Sequence, residues 1–117
     1  MRQLRVAIFE DDPLIAFDIQ TAVEDAGCVV CGVFRDSSAA AAICEEARPD
    51  LAIIDLGLLD GETGSELAAY MHSQGCEIVV FSGKQVVDPV LCRISHTFIS
   101  KPLSPALLTE ALRPAAM

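Results

Sequence analysis

The sequence predicts an α/β domain built on a parallel sheet of five strands with helices on both faces. Strand-like and helix-like segments alternate at short intervals. The strands read as continuous apolar runs, the pattern of strands buried on both sides, not as the alternating pattern of a half-exposed sheet. A length of 117 residues suits one domain around one sizeable core, so residues 1–117 are expected to form a single module.

The first strand is "LRVAIF" (4–9). A helix from about Pro13 to Ala26 follows, with Asp12 placed to cap it, Pro13 at the first helical position where a missing N–H does no harm, and Gly27 to end it. "CVVCGVF" (28–34) is the second strand; a helix of about 37–47 comes next, capped by Asp36 or Ser37 and stopped by Pro49. Leu51 to Asp55 is the third strand, Ser65 to Gln74 the third helix, and "EIVVF" (77–81) the fourth strand. "GKQVVDPVLCRIS" (83–95) has Pro89 in its middle, so the helix expected there is short or distorted. A brief fifth strand, "TFI" (97–99), and a last helix from about Pro105 to Arg113 complete five β-α units.

Composition narrows the function classes. Over half the residues are hydrophobic (52%), 21% are charged and the mean hydropathy is positive, which excludes disorder. No apolar run is long enough for a membrane span, and "MRQLRVAIFEDD" meets acidic residues too soon for a signal peptide; a cytoplasmic protein without membrane insertion is expected. Eight basic against 17 acidic residues give a net charge of −9, which argues against direct nucleic-acid binding. Five cysteines without a secretion signal are expected as reduced thiols. Cys28 and Cys31 form a C-x-x-C, but in a strand positions three apart point to opposite faces, which disfavours a shared metal. His72 and His96 have no partner at ligand spacing and read as surface or packing residues.

In an open parallel sheet, ligands bind outside the carboxyl ends of the strands. The first strand delivers Glu10, Asp11 and Asp12 there, the third Asp55, the fourth Ser82 and Gly83, and the fifth leads to Lys101. Clustered carboxylates repel one another, and a hard divalent cation such as Mg²⁺, which accepts one or two carboxylates while keeping waters, relieves that repulsion. With the metal bound, Asp55 can take a phosphoryl group. Such a transfer needs positioning and charge neutralisation: the metal on one phosphoryl oxygen, Lys101 on another, and the Ser82 hydroxyl with backbone N–H groups on the third.

"FEDDP", "LAIIDLGLLDG", "VFSG" and "FISKP", in this order over residues 9 to 102, resemble the four active-site motifs of the receiver domain of bacterial two-component response regulators. The resemblance implies a flavodoxin-like (βα)₅ three-layer sandwich with strand order 2-1-3-4-5. It implies Asp55 as phosphoacceptor, Asp11 as direct metal ligand, Glu10 as an acidic partner acting through water, and the Gly57 backbone carbonyl as a further ligand of Mg²⁺. Ser82 stands where the family has Thr or Ser, Lys101 is the family lysine, and Phe98 holds the aromatic switch position. The implied partners are a sensor histidine kinase or histidine phosphotransfer protein as donor and a downstream protein as target, with dimerisation left open.

The departures are Leu59 in place of a frequent proline, and 19 positions from Ser82 to Lys101, about one helical turn short. With Pro89, that segment is similar to single-domain receivers with a degraded fourth helix, some of which pair with HWE-class kinases. Gly57 and Lys84 hold positions that tune dephosphorylation in the family. The expected product is a stand-alone receiver: a signalling phosphoacceptor, not an enzyme, that catalyses only its own phosphorylation and dephosphorylation, and acts by protein contact or as a phosphate relay or sink. The rival is a pseudo-receiver that binds partners without phosphorylation. A metal-dependent phosphatase is disfavoured by the lack of a second Asp two residues after Asp55, and a flavodoxin-like cofactor binder by the lack of a phosphate-holding loop after the first strand.

Overall fold

The computed structural model describes residues 3–57, 64–83, 89–101 and 104–116. Five parallel strands, β1 (Arg5–Phe9), β2 (Val29–Phe34), β3 (Leu51–Asp55), β4 (Glu77–Ser82) and β5 (Thr97–Ser100), form one sheet in the order β2-β1-β3-β4-β5. The helices are α1 (Pro13–Asp25), α2 (Ala40–Glu46), α3 (Gly64–Ser73) and α4 (Pro105–Ala116), so the expected fold class and strand order are observed. Alternation of side chains along each strand divides the apolar residues between two cores. On one face Val6, Ile8, Ile53 and Phe81 pack with Ile19 and Val23 of α1 and Leu108 and Leu112 of α4. On the other, Ala7, Phe9, Ile54 and Val80 pack with Ile43 of α2 and Leu67 and Met71 of α3. All five residues of β3 are buried, as its unbroken apolar run requires.

Local chemistry sets the helix ends. Asp12 Oδ1 accepts from the N–H of Leu14 at 2.9 Å with Pro13 opening α1, and Gly27 takes φ +85° after it. The second helical segment differs from the expected continuous helix. Asp36 caps a 3₁₀ turn over Ser37–Ala39, and only then does the α-helix begin. β2 carries a bulge: Val6 pairs with Val30 but Ala7 with Gly32, so Cys31 is the extra residue. The expected separation of Cys28 and Cys31 holds, since Cys28 lies in the α1/α4 core and Cys31 packs on the α2/α3 core.

Between β4 and β5 the described residues form a turn at Pro89–Val90 and a 3₁₀ helix, Leu91–Arg93; Lys84 lies outside the described residues. Leu91 is buried and Ile94 packs on the α2/α3 core, so this short segment supplies the cover that a full helix gives elsewhere. Phe98, which pairs with Val80, is left 38% exposed.

Candidate functional site

The carboxyl ends of β1, β3, β4 and β5 converge. Glu10 continues β1 by donating its N–H to the Phe34 carbonyl at 2.9 Å, and its side chain is 2% exposed. Oε2 accepts from the Asp12 N–H at 3.2 Å, while Oε1 is buried without a hydrogen-bond partner. The acidic run therefore divides its work: Asp12 caps α1, and Glu10 and Asp11 face the site. Asp55, 4% exposed, ends β3 beside them, and one oxygen from each of Glu10, Asp11 and Asp55 lies within 4.8 Å of the others.

Asp55 is held from both sides. Its Oδ1 accepts from the Gly57 N–H at 2.9 Å, and its Oδ2 lies 3.3 Å from the Lys101 ammonium. Lys101 is anchored by its own backbone, whose N–H donates to the Ser82 carbonyl at 2.8 Å, and its ammonium sits 5.2 Å from the Phe81 ring centroid. Phe81 is register partner to both Asp55 and Ile99, so it forms the floor between Asp55 and Lys101. Ser82 is buried at the end of β4.

Burial, reinforced by the neighbouring Asp55 carboxylate, pushes Glu10 from its ordinary 4.5 up to about 8. Three carboxylates against one ammonium leave two negative charges when all are ionised, which is the charge a divalent cation would balance. The donors are all hard oxygens and one buried oxygen lacks any partner, so the residues fit Mg²⁺.

The family model for the response regulator receiver domain matches residues 6–113. The chain belongs to this family. The receiver is 43% identical over 60 residues to the phyllosphere-induced regulator PhyR of Methylorubrum extorquens, an alignment covering 50% of this chain and 22% of that protein. In structure it is similar to the signal receiver domain of a modulated diguanylate cyclase from Desulfovibrio desulfuricans G20 (TM-score 0.88, 26% identity, 98% of this chain and 94% of that one). It is also similar to PhyR of Brucella abortus (TM-score 0.77, 27% identity), matching 98% of this chain and 48% of that one. The receiver thus spans half or less of the length of these two PhyR proteins.

The structure brings together Glu10, Asp11, Asp55, Gly57, Ser82 and Lys101. Phe98 stands apart on β5, with Ser82 and Val80 on β4 paired to Ser100 and Phe98. Two supporting residues were not evident from sequence. One is Phe81, which reads there only as a strand residue. The other is Gly64, the first residue of α3: a Cβ on it would meet Leu56 Cα at 2.7 Å. No local signal marks it, since the propensity penalty on glycine belongs to helix interiors and not to their first residue.

Proposed function

We propose that this receiver accepts a phosphoryl group on Asp55 from a phosphohistidine of a kinase or phosphotransfer protein. The observation that carries the reading is the buried Asp55 carboxylate, held by the Gly57 N–H and the Lys101 ammonium beside Glu10 and Asp11. An Asp55 oxygen attacks the phosphorus, the bond from phosphorus to the histidine nitrogen breaks, and the electron pair returns to the imidazole. Glu10, Asp11, Asp55 and the Gly57 carbonyl would hold Mg²⁺, which when bound supplies positive charge against the transferring oxygens. The Gly57 N–H fixes the orientation of the acceptor carboxylate, and the low exposure of Asp55 keeps bulk water from it. Lys101 stabilises charge on a phosphoryl oxygen, and the Ser82 hydroxyl takes another.

The added charge and three acceptor oxygens draw Ser82 and Lys101 inward, and Phe98, half exposed beside Val80, turns toward the space that Ser82 leaves. The donor docks where α1 presents Leu14 and Phe17, 77% and 67% exposed, next to Glu10 and Asp11. Output runs by contact with a downstream protein or by passing the phosphoryl group on.

Intact mass after incubation with acetyl phosphate tests this. Wild type gains one phosphoryl group only with Mg²⁺, Asp55→Asn gains none, and Lys101→Ala binds the metal but switches poorly. No gain in the folded wild type, with acetyl phosphate and with candidate kinases, would favour a pseudo-receiver; equal labelling of Asp55→Asn would remove Asp55 as the acceptor.

A further inference from the structure

Phe81 meets the site with the face of its ring. The side chain is 2% exposed within the α1/α4 core, and its backbone lies between Asp55 of β3 and Ile99 of β5. Side chains alternate along a strand, so Lys101, two positions after Ile99 and kept in line by its N–H bond to the Ser82 carbonyl, returns to the face that Ile99 and Phe81 share. Its stem runs beside the end of β4, where a Cβ on Gly83 would meet Lys101 Cδ at 3.9 Å. The ammonium therefore stands over the Phe81 ring, 5.2 Å from the centroid. A ring face attracts a cation within about 6 Å.

An ammonium has three donors and no acceptor. Asp55 Oδ2 takes one at 3.3 Å, longer than the roughly 2.7–2.9 Å of a close charge-assisted bond. The ring faces the ammonium from the core side, and the lysine, 29% exposed, is left with a donor for a further acceptor. These two holds differ in what they depend on. The ion pair needs the negative charge of Asp55, which is lost from that carboxylate once it carries a phosphoryl group; the ring contact does not. We propose that Phe81 is a positioning residue for phosphoryl transfer: by a cation–π contact its ring seats the Lys101 ammonium beside Asp55, where it meets the arriving phosphoryl oxygen. This role rests on the reading of Asp55 as phosphoacceptor.

The test is replacement of Phe81 in the full chain by mono-, tri- and pentafluorinated phenylalanine, which withdraw charge from the ring face with little change of shape. Labelling by acetyl phosphate with Mg²⁺ should slow in step with the fluorine count, by about two- to fivefold in the pentafluorinated chain. In a Lys101→Met background the series should be flat. Rates that do not change along the series, or that change equally without the lysine, would overturn the proposal and leave Phe81 a packing residue. A second readout needs no phosphorylation. The Lys101 Cε protons should resonate upfield of those of free lysine, shielded by the ring, and should lose that shift in the pentafluorinated chain; an unshielded signal in the unsubstituted chain would likewise overturn the proposal. If that chain takes no label at all, the phosphoacceptor reading falls, and the lysine signals still decide whether the ring seats the ammonium.

Discussion

Glu10 holds a carboxyl group where water cannot solvate its charge, and its proton is the consequence. In the unfolded chain it ionises at its ordinary 4.5, in the fold only at about 8. Between these values the native state binds the extra proton, so this group's contribution to stability falls as pH rises from about 4.5 through 8. Mg²⁺ favours the ionised form and acts in the opposite direction. Thermal melts should show the rise in Tm on adding Mg²⁺ growing from pH 5.5 to 8.5, and Glu10→Gln should flatten that dependence. Arg48 offers a second check. It follows α2 with φ +47°, a left-handed conformation that a Cβ disfavours. Arg48→Gly should stabilise the fold by about 0.5 to 1 kcal/mol in urea denaturation, the relief of strain exceeding the extra entropy of the unfolded chain. The candidate ligands were legible at this scale because each sits immediately after an apolar run. The protonation of Glu10 was not, because it depends first on burial under the assembled fold and then on Asp55, a residue from another strand.

α3 begins against the turn that follows Asp55, so the start of this helix and the geometry around Asp55 are one problem. Gly64→Ala would place a Cβ 2.7 Å from Leu56 Cα and 3.0 Å from its carbonyl oxygen, so either the helix or the Leu56–Gly57 turn must move. The Gly57 N–H bond to Asp55 would be disturbed with it. Labelling by acetyl phosphate should slow severalfold in this variant, with a stability loss of about 1 to 3 kcal/mol. Sequence reasoning located five strands and the ends of α1, where Asp12, Pro13 and Gly27 act locally. It was less exact at α2, where the cap opens a 3₁₀ turn before the helix, and it did not foresee the bulge at Cys31 in β2. The bulge depends on pairing with β1, and the 3₁₀ turn on the Asp36 carboxylate, which accepts from the Ser38 N–H. At Gly32 an added Cβ would meet the Phe34 ring, which in turn packs 5.2 Å from Phe9.

At the scale of the molecule, two cores share one sheet, and one of them depends on α4, a helix distant in sequence from the β1 and β3 residues it covers. Leu108 of α4 is fully buried among β1, β3, β4 and α1 residues. Leu108→Ala should cost about 2 to 5 kcal/mol in urea denaturation, with a single transition followed by both circular dichroism and tyrosine fluorescence. The sequence by itself determined the fold class, because continuous apolar strands alternating with capped helices leave few other ways to bury this much surface. It also determined the candidate acidic site, because parallel strands deliver their carboxyl-end residues to one edge. Only the tertiary structure decided how those residues are poised: Lys101 at 3.3 Å from Asp55, Phe81 beneath it, Glu10 stripped of water. It alone brought His72 and His96 to line one pocket, since residues over 20 positions apart on separate elements carry no local signal of it.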